Sequence, residues 1–304
     1  MRKMVVGSRV AGVKWLPLIL VFLCAFRTTS GQTFEQTENR IAKMPVEQQA
    51  YERFRSWISG EPLTVRGSGG FSEQQANPAL VKMYRGYLKE HGLSDPDIDS
   101  QIELLHRHAQ QLDAEHWNNY FAAERPAFNT NPNSFLVEMV KGRRPGAALD
   151  VAMGQGRNSL WLAQQGWDVT GFDIADKAVA SANEQAAKLG LKIHTTVASI
   201  EAFDYGENRW DLVLLSYAGA GPSVERLERA LKPGGILIVE AFHEDALQSL
   251  HIGGSLFKTG ELPHMFPELR TVRYEEPIAM PDFAPKPARV VRFCAFKPES
   301  NSQH

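Results

Sequence analysis

The chain has 304 residues, 43% of them hydrophobic and 22% charged, a composition ordinary for a globular protein and a length that allows one large domain or two small ones. Its 33 basic and 35 acidic side chains leave a formal net charge of −2, which gives no electrostatic ground for a nucleic-acid or anionic-membrane partner. Cys24 and Cys294 are the only cysteines; they exclude a disulfide framework and a cysteine-based zinc site, and Cys294 reads as a small buried strand residue.

The first 31 residues have the layout of a secretory signal peptide. Arg2, Lys3, Arg9 and Lys14 form a positive leader, residues 15–26 are nearly all apolar, and residues 27–31 end in small side chains. The apolar run is too short for a comfortable transmembrane helix, so no stable membrane span is expected. Val21, Phe22 and Leu23 before Cys24 are too bulky for the usual lipoprotein pattern. The leader implies export to the periplasm or the exterior; the alternative is a misassigned start, with Met44 as a candidate, and a cytoplasmic protein. Residues 32–111 are expected to form a helical extension or cap. Helical patterns fall at 46–58, 77–91 and 98–121, with a flexible break at Gly67-Ser68-Gly69-Gly70 and a turn at Asp95-Pro96-Asp97. His106, His108 and His116 do not make a metal site, because positions two apart point to different helix faces.

From Pro145 onward, apolar strand patterns alternate with helical ones. Strands are expected at 147–151, 168–172, 191–197, 211–215 and 236–241, and helices at 159–165, 177–188 and 224–231. Such alternation predicts an α/β fold with an open, mostly parallel sheet covered by helices on both faces. The segments 269–275 and 289–296 lack a helix between them and suit an antiparallel pair at one sheet edge. The expected domain therefore covers residues 112–297, with 298–304 as a disordered tail.

The chemistry centres on Ala148-Leu149-Asp150-Val151-Ala152-Met153-Gly154-Gln155-Gly156-Arg157-Asn158, a buried strand running into a two-glycine loop and a helix. Ligands of parallel α/β sheets bind at the carboxyl ends of the strands. Glycine lets the backbone approach them, and the helix start favours an anionic group. Asp173 ends the next strand, where a carboxylate can accept from ribose hydroxyls. These two features alone also describe nicotinamide- and flavin-binding folds. Three more decide between the classes: the strand Asp211-Leu212-Val213-Leu214-Leu215, opening on an acid; Leu231-Lys232-Pro233-Gly234-Gly235, whose Pro and Gly suit a type II turn before an apolar strand; and the terminal antiparallel pair.

Together these residues resemble the class I S-adenosylmethionine-dependent methyltransferases, a Rossmann-like fold. Gly154-Gln155-Gly156-Arg157-Asn158-Ser159-Leu160-Trp161-Leu162-Ala163, with Gly166-Trp167-Asp168-Val169-Thr170-Gly171-Phe172-Asp173, is similar to the branch containing the tellurite-resistance and thiopurine-type methyltransferases. So are Trp117-Asn118-Asn119-Tyr120 and Asn131-Pro132-Asn133-Ser134-Phe135-Leu136. The resemblance implies S-adenosyl-L-methionine as cofactor. In that reading Asp150, Ala152, Gly154 and Gly156 hold its methionine part, with Arg157 and Asn158 beside the carboxylate. Asp173 takes the ribose, with Ile174 after it also at the cofactor, Ala198, Ser199 and Ile200 border the adenine, and Ser216 and Tyr217 face the sulfonium and a small-molecule methyl acceptor.

Three positions depart from the family: Ala152 and Met153 stand where glycine and a small residue or cysteine are usual, and Ser199 replaces the usual acid unless Glu201 takes its place. Alanine fits at 152 if φ there is negative. Bland readings stand beside the sharp ones: Asp173 as a surface acid, Asp150 as a cap, Arg157 as a solvated first-turn residue, Tyr217 as packing, His243, His251 and His264 as polar loop residues, and Phe71, Trp117, Tyr120 and Phe128 as core or lid. Methyl transfer needs alignment more than a nucleophile, so no catalytic residue is nominated. The competing functions are a weak or inactive methyltransferase-fold binding protein and, less in keeping with the Pro-Gly-Gly strand, a dinucleotide-dependent oxidoreductase.

Overall fold

A computed structural model describes residues 34–60, 78–122, 129–218, 224–246 and 256–299. The leader, the glycine break at 67–70, Phe71, Phe128, His251 and residues 300–304 lie outside the described residues.

The N-terminal part is helical. Helices α1 (Phe34–Ile41), α2 (Val46–Gly60), α3 (Pro78–Glu90) and α4 (Asp95–Phe121) bury Tyr51, Phe54, Trp57, Tyr84, Leu88 and Leu105 in a core of their own. Asp95-Pro96-Asp97 is the first turn of α4, not a separate turn: Ser94 caps it by accepting from the Asp97 N–H at 3.3 Å, and Pro96 sits where its missing N–H has no helical partner to lose. With 27 residues α4 is about 40 Å long. It runs unbroken through residues 111 and 112, so the expected division between cap and domain falls inside one helix.

Beyond it come α5 (Ser134–Val140), β1 (Ala147–Val151), α6 (Arg157–Gln164), β2 (Asp168–Asp173), α7 (Asp176–Lys188), β3 (His194–Val197), β4 (Trp210–Ser216), α8 (Val224–Ala230), β5 (Leu231–His243), β6 (Leu256–Phe257), α9 (Glu261–Met265), β7 (Arg270–Glu275), β8 (Ile278–Ala279) and β9 (Ala288–Phe296). The sheet order is β3-β2-β1-β4-β5-β9-β7, with β6 beside β5 and β8 beside β9. The strands β3 to β5 along this path are parallel, and β9 lies antiparallel between β5 and β7. The architecture is the mostly parallel α/β sheet with a terminal antiparallel pair that the sequence pattern predicts.

The central strands bury alternate residues on the two faces. Leu149, Val151, Val213, Leu215 and Val239 meet α8 and α9; Ala148, Leu212, Leu214, Ile238 and Cys294 meet α5 and α6. β5 starts five residues earlier than the apolar run implies, because its pairing with β4 jumps from Trp210↔Leu231 to Leu212↔Ile236. Pro233-Gly234-Gly235 is the bulge between them. Gly234 has φ 79°, as a type II turn requires, and a side chain at Gly235 would meet the Trp210 carbonyl oxygen at 2.7 Å. Asp211, the second residue of β4, accepts from the Ala147 N–H and from Lys232 Nζ, both at 2.7 Å. It therefore ties the strand starts together at the end of the sheet away from the glycine loop. Among the described residues no helix is long and apolar enough to cross a membrane.

Candidate functional site

The loop between β1 and α6 carries two residues in the left-handed region that the sequence assigned to glycine, Gly154 (φ 55°) and Gly156 (φ 78°), and a third, Ala152 (φ 53°), that it did not. The condition on which alanine would fit at 152 without strain, a negative φ, is thus not met. The Met153 N–H donates to the Phe172 carbonyl at 2.9 Å, which ties the loop to β2 and leaves Ala152 to absorb the turn. Met153 fits because Gly171 makes room for it: a side chain at 171 would come within 2.3 Å of the Met153 sulfur. Gly156 turns toward α7, where a side chain would stand 2.9 Å from the Ala182 Cβ, so its role is to bring loop and helix together.

Two carboxylates lie beneath this loop. Asp150, at the end of β1, is 1% exposed. It accepts from the Ser159 hydroxyl at 2.7 Å and from the Ser159 main chain, so it does cap the start of α6. Burial pushes its pKa up to about 6, with the negative charge of Asp173 adding to the rise and Ser159 and Arg157 opposing it. Asp173, also buried, accepts from the Gly154 N–H at 2.8 Å and the Ala175 N–H at 2.8 Å, and Ile174 adds a third amide. Burial still raises its pKa above the usual carboxylate range. It is no surface acid.

A second wall is built around Asp282, in the connection between β8 and β9. Its Oδ2 accepts from Arg157 Nη2 at 2.7 Å and from Asn133 Nδ2 at 2.8 Å, and its Oδ1 accepts from Asn129 Nδ2 at 3.2 Å. The same Arg157 nitrogen lies 3.1 Å from Ser216 Oγ, while Nη1 donates to the Asn131 carbonyl at 2.8 Å. Arg157 is therefore a half-buried ion-pair partner of Asp282 rather than a solvated residue. Asn133 is fully buried: it caps α5 by accepting from the Leu136 N–H, donates to Glu240 as well as Asp282, and its own N–H donates to Asn158 Oδ1 at 2.8 Å. Tyr217 holds φ 60°; its hydroxyl donates to Glu240 at 2.9 Å and accepts from the Asp282 N–H at 3.2 Å.

Between the two walls lies a cavity of about 270 Å³ lined by Phe121, Asp150, Ala152, Gly154, Arg157, Asn158, Ser216 and Phe283, among others. Of the residues singled out in the sequence, it therefore gathers Asp150, Ala152, Gly154, Arg157, Asn158 and Ser216. Gly156, Asp173, Ile174, Ser199 and Ile200 do not line it. Asp173 sits behind Gly154, and Ser199 Oγ accepts from the Ala202 N–H at 3.2 Å, starting a turn. Asp282, Asn133, Phe283 and Phe121 escaped sequence reasoning. The doubled asparagine of Asn131-Pro132-Asn133 was the one local hint. Of the histidines, His243 is buried and bonded to Thr259 at 3.0 Å, and His264 lies against the Gly260 carbonyl; neither lines the cavity. Trp117 is 39% exposed on the outer side of α4, where it meets the rings of His116 and Tyr120. Among the described residues no group of three or more His, Cys, Asp or Glu side chains is arranged to hold a metal ion.

Residues 148–235 match a family described as "Methyltransferase domain". The chain is 28% identical over 194 residues to Hemagglutinin 1 of Eikenella corrodens, covering 61% of each. It is 30% identical over 149 residues to the probable S-adenosyl-L-methionine-dependent methyltransferase TehB of Haemophilus influenzae, covering 46% of this chain and 52% of TehB. The chain thus spans between half and two thirds of the length of these relatives. A solved structure from work on "Conversion of a Disulfide Bond into a Thioacetal Group during Echinomycin Biosynthesis" superposes with a TM-score of 0.51 at 19% identity, over 64% of this chain and 94% of that one, a likeness of fold.

Proposed function

We propose, from the premise that this chain carries a class I S-adenosylmethionine-dependent methyltransferase domain, that it transfers a methyl group from S-adenosyl-L-methionine to a small-molecule acceptor. The observation that carries this reading is Asp150. A carboxylate buried in a cavity wall, with a hydroxyl and an amide as its polar partners, is poised for a cationic ligand. An amino-acid ammonium or a sulfonium meets that need. Gly154 lines the cavity without a side chain, with the Phe121 ring packed against it, and Arg157 and Asn158 start α6, where a ligand carboxylate is favoured. Asp150, Ala152, Gly154, Arg157 and Asn158 would hold the methionine part. Asp173 and Ile174 would hold the ribose, Ser199 and Ile200 would border the adenine, and Gly156 keeps the loop against α7.

When bound, S-adenosylmethionine supplies an electrophilic methyl group with a neutral thioether as leaving group. The chain's part is alignment and exclusion of water. Ser216 Oγ accepts from Arg157 and keeps its own proton to donate to an acceptor; Phe121 and Phe283 close the cavity with apolar surface. The Tyr217 hydroxyl is committed to Glu240, so it orients the end of β4 rather than abstracting a proton.

A second reading, a nucleoside-binding protein without turnover, is favoured by Ala152 at φ 53° and by the three amides that already occupy Asp173. One experiment separates them. The full chain is incubated with methyl-labelled S-adenosylmethionine and the small-molecule fraction of its source cells. Label in an acceptor, with formation of S-adenosylhomocysteine, supports the enzyme; cofactor binding with no product overturns it in favour of the binder.

A further inference from the structure

Asp173 is oriented by a bracket, and both arms of that bracket rest on the last turn of α4. One arm is the Gly154 N–H, donating to Asp173 Oδ2 at 2.8 Å. The other is the Ala175 N–H, donating to Oδ1 at 2.8 Å, one residue before α7 begins. Phe121 braces the first arm: its ring lies where a side chain on Gly154 would meet it at 2.9 Å, and its carbonyl accepts from Gln155 Nε2 at 3.3 Å. Asn118 braces the second. Helix α7 has Ala175 at its cap position and so no side-chain cap of its own. Asn118, 9% exposed, supplies the missing cap from another element: its Oδ1 accepts from the Lys177 N–H at 3.1 Å, and its Nδ2 donates to Asp176 Oδ1 at 2.6 Å.

We infer that Asn118 is a positioning residue for the cofactor: through the start of α7 it fixes the Asp173 carboxylate, and it makes the N-terminal helical module part of the cofactor site. The inference rests on the cofactor reading above. A cap supplied from another element binds two elements together as well as satisfying an amide. The first half of α4 is built into the helical core through Ile98, Ile102 and Leu105, while its last turn holds the Asp173 bracket. Linkage then requires that a ligand on Asp173 tighten the docking of α4, since coupling between two sites is reciprocal.

The test uses the full chain, calorimetric titration with S-adenosylhomocysteine, and amide hydrogen exchange of residues 113–121. Asn118→Ala is expected to weaken binding about fivefold, the scale of a lost cap. Asn118→Asp sets a carboxylate against Asp176 and is expected to be at least as weak. The exchanged pair N118D/D176N restores the bond with donor and acceptor reversed, keeps an acceptor for the Lys177 N–H, and is expected to recover affinity to within about twofold. Ligand is expected to slow exchange at 113–121 in the wild type and in the exchanged pair, not in N118A. A general loss of structure would not be rescued by the second change, so an unrescued pair overturns the inference, as does wild-type affinity in N118A. Failure of the wild type to bind at all removes the cofactor reading and this inference with it; binding by the wild type with N118A unchanged removes this inference alone.

Discussion

Replacing Asp150 with asparagine tests the electrostatics of the cavity without disturbing its shape. Asp150 is buried and its carboxyl titrates at about 6 rather than at 3.8. Below about pH 4 both folded and unfolded chains hold the proton, and the side chain imposes no ionisation penalty. As the pH rises from about 4 to about 6 the unfolded chain ionises first, and stability is lost. Above pH 6 the loss is complete, and the gap between 3.8 and about 6 corresponds to about 3 kcal/mol. Asparagine cannot ionise, and its carbonyl still accepts from the Ser159 hydroxyl. Asp150→Asn is therefore expected to stabilise the ligand-free protein at pH 7.5 by up to about 3 kcal/mol, or roughly 5–10 °C in melting temperature. The gain should vanish near pH 4. The same change should weaken S-adenosylmethionine binding, because the buried anion facing the cation is gone. Urea unfolding followed by circular dichroism between pH 4 and pH 8 reads the first effect. A mutant less stable than wild type at pH 7.5, or a difference that does not change with pH, would refute the reasoning.

Other outcomes follow from the same geometry. Ala152→Gly removes the strain of a left-handed alanine, about 1–2 kcal/mol, against a backbone-entropy cost of about 0.4–1 kcal/mol, so a net gain of about 0.5–1 kcal/mol is expected in urea unfolding; a loss would mean the strain is not there. Tyr84 buries a hydroxyl with no hydrogen-bond partner among the described residues, so Tyr84→Phe should raise stability by about 1 kcal/mol, and a destabilised variant would reveal a partner. Arg157→Met leaves Asp282 buried beside Asn133 and Asn129 without its cation and should destabilise by about 3 kcal/mol at pH 7.5; a neutral effect would show that the ion pair is solvated. We propose that the leader is cleaved, in which case intact-mass analysis of protein from fractionated source cells finds a mature chain lacking about the first 31 residues; an intact Met1 would show an uncleaved leader, and a start at Met44 in the cytoplasmic fraction would contradict export.

The sheet was legible because its central strands are buried on both faces and read as unbroken apolar runs, with the glycine loop after β1, an acid at the end of β2 and the Pro-Gly-Gly turn before the apolar run of β5 as punctuation. The glycine loop and Asp173 were legible for the same reason: strand ends announce themselves. Asn133 was not, because its partners Glu240 and Asp282 lie 107 and 149 residues away and no local spacing connects them. Nor was the φ of Ala152, which is set by the bond from Met153 to Phe172 across the loop rather than by alanine's own preference. Short pieces such as α9, β6 and β8 have too few residues to show a period. The start of α4 was misplaced because Asp and Pro signal a turn and a first helical turn equally well.

The cavity beside Asp150 is expected to take a sulfonium nucleoside. Calorimetric titration of the purified full chain tests that most directly. The expected result is saturable one-to-one binding of S-adenosylhomocysteine, competed by S-adenosylmethionine, strongly weakened in Asp173→Ala and absent for NADH. No heat from either sulfur nucleoside, or binding indifferent to the loss of Asp173, would contradict it.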